Sequence, residues 1–393
     1  MRQTFATFDP TRVPSPCFVI DVAAIESNLK ILNRVQRESG AKLLAALKAF
    51  SCWSLAPLYS QYLSGTCASG LHEARLGREE YGGEVHCYSA GYKESELIEI
   101  LAIADHVVFN SLSQWERFKS LAMQAKEKRP QLHFGLRINP EHSEGDVALY
   151  DPCAPCSRMG VPIEQFEKDV ENNPELLTGI SGLHFHTLCQ QDLPPLQRTL
   201  AAVEEKFGPY LGTMEWINFG GGHHISREDY QVDELIELIK SFSARHQLQV
   251  YLEPGEAVAI HSGVLVAEVL DVAWNTMHQA ILDTSATCHM PDVLEMPYRA
   301  DIIGAALPNE LPHTYRLGGM TCLAGDVVGD YSFAQPLQVG QRLMFDDMAH
   351  YTMVKTTTFN GINLPSIALW DSRTDELNVI REFGYTDFKQ RLS

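Results

Sequence analysis

Several apolar stretches of this chain end in polar residues of types that do chemistry. Lys48 stands in Ala46-Leu47-Lys48-Ala49-Phe50, an amine among apolar neighbours. A buried, unpaired ammonium is costly to desolvate, so Lys48 either snorkels to solvent past a strand end or is paired or used covalently, as in Schiff-base chemistry. Arg137 closes a second stretch, Leu136-Arg137-Ile138-Asn139. A third holds His184-Phe185-His186-Thr187, where the two-residue repeat of a strand turns both imidazoles to one side. Each histidine taken singly also suits a hydrogen-bonded core. Asn218-Phe219-Gly220-Gly221-Gly222-His223 contains three consecutive glycines, which serve a flexible turn or the close approach of backbone N–H groups to a phosphate. Leu252-Glu253-Pro254-Gly255-Glu256 brings two carboxylates that need partners.

The elements that must position these groups alternate between two rhythms. Strand-like runs are read at 43–50, 65–69, 85–90, 106–111, 133–138, 179–187, 216–220 and 248–253, bounded by Gly, Pro, Ser or Asn as buried parallel strands are. Helical segments are read between them at 54–63, 71–81, 94–104, 113–128, 163–172, 193–207 and 229–246. In the last, Leu235, Ile236, Leu238 and Ile239 recur at the helical period. Eight strand–helix repeats predict a (β/α)8 barrel, whose strand C-terminal ends carry the active site. An open doubly wound sheet is the alternative, and the absence of G-x-G-x-x-G after the first strand counts against it. Beyond residue 257 short alternating runs at 264–272, 279–283, 313–316, 342–345 and 352–357 predict a mainly antiparallel β domain, completed by an N-terminal strand at 16–22. The expected division is a barrel over 23–257 and a β domain built from 1–22 and 258–393. The irregular segment 139–160 is expected to close over a substrate or to be a mobile surface loop.

Composition narrows the function. A chain of 393 residues with 45% hydrophobic and 21% charged residues is globular and long enough for two domains. Its formal charge of −19 opposes nucleic-acid binding and mildly favours cationic ligands. Nine cysteines, an odd count, read as reduced thiols. Cys153-Ala154-Pro155-Cys156 has no partner pair, so no metal site is expected. Met1-Arg2-Gln3-Thr4-Phe5-Ala6 lacks an export signal's apolar core, and no apolar run is long enough for a membrane span, so the expected location is cytoplasmic.

Lysine, imidazole, glycine triplet and strand-end carboxylate together fit pyridoxal phosphate. The lysine would bond the aldehyde, the imidazole stack on the ring, the glycines cradle the phosphate and the carboxylate pair with the pyridine nitrogen. With Gly319-Met320-Thr321-Cys322-Leu323-Ala324-Gly325-Asp326 and Thr358-Phe359-Asn360-Gly361 downstream, the ordered motifs over about 16–365 resemble the fold-type III, alanine-racemase-like decarboxylases, which include those for ornithine and diaminopimelate. The resemblance implies that Lys48 is the cofactor lysine and that His186 stacks on the ring. It pairs Glu253 with the pyridine nitrogen, gives the phosphate to Gly220, Gly221, Gly222 and Tyr351, and sets Arg137 and Gly255 beside the cofactor. It also implies a homodimer with shared active sites, in which Cys322 delivers a proton after CO2 leaves and Asp326 lies near the substrate.

Within that group, His289-Met290-Pro291-Asp292-Val293-Leu294-Glu295-Met296-Pro297 and the variant Glu253-Pro254-Gly255-Glu256 are similar to the branch acting on carboxynorspermidine and carboxyspermidine. Glu256 stands where the ornithine and diaminopimelate enzymes have arginine, and Leu323 where the latter have glutamate. Cys189 replaces a phosphate-binding serine. An acid in place of an arginine suits a substrate with distal amines, and Glu256 and Asp292 are the expected substrate ligands. The alternatives are a decarboxylase for ornithine, arginine or diaminopimelate, an inactive regulatory paralogue that binds the cofactor, and a metal-dependent barrel hydrolase using His184 and His186.

Overall fold

The structure, a computed structural model, describes residues 4–393 apart from Asp146, Ala148 and Leu149. The chain divides into two compact units, one comprising Asn28–Val258 and the other the described residues up to Ser27 with Ala259–Ser393. Strand β1 (Cys17–Asp21) belongs to the second. The first contains β2 (Lys42–Ala46), β3 (Gly65–Ala68), β4 (Glu84–Tyr88), β5 (His106–Phe109), β6 (His133–Asn139), the short β7 (Val161–Pro162), β8 (Gly182–His184), β9 (Trp216–Asn218) and β10 (Gln249–Leu252). The remaining strands are β11 (Gly263–Asn275), β12 (Met277–Leu282), β13 (Ala305–Ala306), β14 (His313–Gly318), β15 (Val327–Phe333), β16 (Arg342–Phe345), β17 (Ser366–Asp371) and β18 (Glu376–Arg381).

In the Asn28–Val258 unit, β2, β3, β4, β5, β6, β8, β9 and β10 pair in parallel around a closed ring, β5 meeting β6 to complete it. Helices at Glu94–Ile103, Leu112–Lys128, Ile163–Asn172, Leu193–Leu211 and Val232–His246 follow the expected helical segments closely. The ring interior is packed around Leu44, Val108, Trp216 and Tyr251. Trp216 dictates two of its neighbours: a Cβ on Gly135 or Gly182 would come within 2.3 or 2.0 Å of the indole. The expected elements omit the helix Val22–Ser39, although Ile25, Leu29, Leu32 and Val35 are fully buried along it at helical spacing.

The other unit is a nine-stranded sheet in the order β13-β15-β14-β12-β11-β1-β17-β18, with β16 also on β11. Only β1–β17 and β12–β14 pair in parallel, so it is mainly antiparallel, with the N-terminal strand built into its middle. Residues 352–357, expected as a strand, instead form a turn and the one-turn helix Met353–Lys355. The cause is local: Tyr351 takes φ +52°, and Lys355 N–H closes back on its carbonyl at 3.1 Å.

Candidate active site

The expected strand over 43–50 ends at Ala46, and Lys48 sits in the turn beyond it. Ala46 N–H still donates to Pro254 O at 3.0 Å and Leu47 N–H to Cys67 O at 3.1 Å, so neighbouring strands carry this turn. Lys48 makes no hydrogen bond or ion pair to another described residue, although Leu47 and Ala49 on either side are buried. Its amine is held at the barrel rim with no acid committed to it.

Glu253 follows β10. Asn218, at the end of β9, donates from Nδ2 to Glu253 Oε1 at 2.8 Å, and the Glu253 N–H donates to Gly220 O at 2.8 Å. His184 brings Nε2 to 3.5 Å from Glu253 Oε2, yet neither ring nitrogen of His184 finds a hydrogen-bond partner among the described residues. Burial alone would raise the Glu253 carboxyl, but the adjacent His184 ring, His186 and the Lys48 charge together outweigh that and hold it well below the usual carboxylate range. Burial pushes both imidazoles down, His186 further than His184, with Lys48 and Arg137 adding to the effect on His186. The rim therefore presents a fixed carboxylate anion facing neutral imidazoles.

The glycine triplet is packed, not flexible. A Cβ on Gly220 would lie 2.6 Å from Phe185 O, on Gly221 2.0 Å from Glu253 O, and on Gly222 1.9 Å from Leu188 O. Gly220 and Gly222 also take φ +71° and +89°. Gly220 N–H donates to Asn218 Oδ1 at 2.8 Å and Gly221 N–H to His186 Nδ1 at 2.9 Å. The second bond makes Nδ1 an acceptor and so puts the neutral ring's proton on Nε2. Of the three amides only Gly222's has no acceptor among the described residues.

Arg137 is 3% exposed. Its guanidinium lies 4.6 Å from the centre of the Tyr88 ring and donates to His186 O at 3.1 Å, while its Nε has no partner among the described residues. Tyr88 OH donates to Asn110 Oδ1 at 2.7 Å, and Asn110 holds Arg158 O and Gly160 N–H at 2.8 and 2.9 Å. The end of the 139–160 segment is thus tied to the rim. Earlier in it, Ser143 donates to Thr187 O and Glu144 pairs with Arg198. The expectation that this segment closes over a substrate falls partly on Asp146, Ala148 and Leu149, outside the described residues.

Glu256, one residue past Gly255, lies 2.6 Å from His224 Nε2 and accepts from Gln190 at 3.2 Å. Tyr88, Asn110, His224 and Asn218 were not among the expected site residues. Asn218 was legible as the residue before Phe219 and the triplet; the others become visible only once the strands are side by side.

The remaining expected residues belong to the sheet unit. Cys322 is exposed, with its N–H on Asn360 Oδ1 at 3.0 Å. Asp292 pairs with Lys355 at 2.6 Å. Tyr351 has the Lys355 ammonium 5.8 Å from its ring centre. Asp326, expected near the substrate, is 4% exposed and saturated: it accepts from Ser285 Oγ at 2.9 Å, Thr287 N–H at 3.2 Å, and Thr321 N–H and Oγ1 at 3.3 and 2.6 Å. A carboxylate so occupied has no acceptor left for a substrate amine, and it anchors the loop that carries Cys322.

An uncommitted lysine, a fixed carboxylate, an Nε2-protonated imidazole and a glycine cradle too tight for any Cβ fit pyridoxal phosphate. With a (β/α)8 barrel and a mainly antiparallel sheet, they define the fold-type III class of pyridoxal-phosphate enzymes. The family model described as "Pyridoxal-dependent decarboxylase, C-terminal sheet domain" matches residues 17–349. The chain belongs to this family of pyridoxal-dependent decarboxylases. It is 44% identical over 382 residues to carboxyaminopropylagmatine decarboxylase of a Synechocystis species, covering 97% of this chain and 96% of that one. It is 42% identical over 391 residues to carboxynorspermidine/carboxyspermidine decarboxylase of Campylobacter jejuni, covering 97% and 99%. Among solved structures, Campylobacter jejuni carboxynorspermidine decarboxylase complexed with norspermidine superposes with a TM-score of 0.87 at 41% identity, over 96% of this chain and 100% of that one.

Proposed function

We propose that this pyridoxal-phosphate-dependent decarboxylase releases CO2 from carboxynorspermidine and carboxyspermidine in polyamine biosynthesis. The observation that carries the reading is the near-full-length similarity to the Campylobacter jejuni enzyme, whose solved form holds norspermidine. Glu256 supports it as an acid near the glycine triplet, where a substrate ammonium finds a charge-assisted acceptor. Asp292 is the second proposed substrate ligand. Carboxyaminopropylagmatine is a second reading, favoured by the 44% identity to the Synechocystis enzyme. It would place a guanidinium where the first reading places an ammonium. CO2 release from the three carboxylated polyamines, ornithine, arginine and diaminopimelate, compared by kcat/KM, separates the readings. Carboxynorspermidine and carboxyspermidine are expected to lead; a lead for carboxyaminopropylagmatine installs the second reading, and one for ornithine removes both.

When bound, pyridoxal phosphate supplies the electron sink for the pair left on the carbon as CO2 departs. In this reading Lys48 anchors it covalently, and Glu253, already anionic, pairs with the pyridine nitrogen. His186, its ring set by Gly221, stacks on the ring, and Arg137 and Gly255 lie beside it. Gly222, with Gly220, Gly221 and Tyr351, surrounds the phosphate. Cys322 hands a proton to the carbon that loses CO2, its loop fixed by Asp326 and Asn360. The active form is proposed to be a homodimer in which Cys322 comes from the second subunit. Supporting this, Met320, Leu323 and Phe359 leave apolar surface exposed next to that thiol. A cytoplasmic location is supported by nine cysteines that are all free thiols. No helix among the described residues is long and apolar enough to cross a membrane.

A further inference from the structure

The opposite mouth of the barrel gathers titratable side chains that decarboxylation leaves unused. Lys42, Glu84, His106, His133 and Trp216 are the first residues of β2, β4, β5, β6 and β9, and His86 is two residues into β4. Strand alternation turns Glu84 and His86 to the same face. The His86 and His106 rings lie 3.8 Å apart, and His133 stacks on His106 at 4.8 Å. Glu84 Oε2 is 3.1 Å from His86 Nε2 and 3.9 Å from His106 Nδ1; it also accepts from Tyr251 OH at 3.2 Å, while Lys42 holds Oε1. Trp216 and Tyr251 pack against these rings at 4.9 and 4.7 Å.

Hydrogen bonding does not account for this cluster. His86 is 2% and His106 4% exposed, yet Nδ1 of each has no partner among the described residues. A buried polar atom left unpaired is costly, and two such atoms on touching rings call for an occupant. Donor atoms of Glu84, His86 and His106 all lie within 4.8 Å of one another. Tetrahedral zinc, with bonds of about 2.0–2.2 Å, sets its ligands roughly 3.4 Å apart, so small side-chain rotations close the site. An entry path exists: the Lys42 side chain is 39% and that of His133 31% exposed.

We propose that Glu84, His86 and His106 bind one divalent cation of the zinc class at the N-terminal mouth of the barrel, remote from the decarboxylation site. Two nitrogens and one oxygen suit zinc, cobalt, nickel or copper and disfavour magnesium and calcium. The Lys42 ammonium on the other carboxylate oxygen weakens the site, because it competes for the charge that Glu84 offers the ion.

The holoenzyme, stripped with a chelator, is titrated with Co2+ alone. One equivalent per chain is expected, with tetrahedral visible bands that Zn2+ displaces. His106→Gln should weaken binding by about tenfold or more, and Lys42→Met, at a half-exposed position, should strengthen it. X-ray absorption of the zinc-loaded wild type provides a reading that needs no variant: a shell of nitrogen and oxygen with imidazole scattering is expected. No stoichiometric binding, which would leave the two nitrogens to an ordered water, overturns the proposal. So does sulfur in the shell, or a Lys42→Met protein with wild-type affinity.

Discussion

Gly221→Ala tests whether the triplet is a built cradle or a loose turn. The φ of Gly221 is not in the left-handed region, so only space is at issue. The added methyl would sit 2.0 Å from Glu253 O, a backbone atom that no rotamer can move, where ordinary contact begins at 3.4 Å. The triplet and the end of β10 must therefore part by about 1.4 Å. That movement strains two bonds at once, Glu253 N–H to Gly220 O and Gly221 N–H to His186 Nδ1. Overpacking of this kind costs about 1–3 kcal/mol, which in a unit of this size lowers Tm by about 2–4 °C for each kcal/mol. The catalytic effect should be larger than the stability effect, because a misplacement of about 1 Å in a positioned site costs on the order of 100-fold. Bound-cofactor absorbance, kcat/KM for CO2 release and thermal unfolding are measured on the same preparation. Cofactor occupancy and kcat/KM within about threefold of wild type would refute the reasoning, since the two backbone segments would then be free to part.

Lys48→Ala should abolish turnover and let the cofactor wash out on gel filtration, leaving unfolding unchanged; retained turnover removes Lys48 from its assigned place. Cys322→Ala should keep the cofactor and lose kcat by about 100-fold or more if Cys322 is the proposed proton donor; wild-type kcat would assign the proton elsewhere. The fold should also be acid-labile. Burial, with the charge of His224, lowers His223 to about 3, and burial lowers His289 to about 4. Below the unfolded value near 6.5 the unfolded chain takes up protons that the folded chain refuses, so stability present above pH 6.5 is lost as pH falls toward these values. The loss is at most about 1.4 kcal/mol per pH unit for each histidine. Denaturant titrations at pH 7 and pH 5 should show it, with a shallower slope in His289→Gln; equal slopes would contradict it.

Much was legible along the chain. Eight apolar runs at regular spacing are the barrel strands, because a parallel sheet covered by helices needs apolar residues on both faces. Their polar ends mark the rim, since a strand stops being apolar where it meets solvent and ligand. Alternation in Ser366–Asp371, buried at every second residue, follows the same logic. The run at 352–357 misled because its threonines and valine have strand propensity, while Tyr351 at φ +52° had already turned the chain.

Residue types, their order and their place at strand ends are properties of the chain, and they suffice to define the barrel and the cofactor. Partners are not. That Glu256 meets His224, that Gly221 sets the proton on His186, that Asp326 is spent on Ser285, Thr287 and Thr321, and that Glu84, His86 and His106 share one mouth of the barrel are facts of closure. Most join residues far apart in the chain, and register and burial, which no local pattern encodes, choose which lone pair meets which proton.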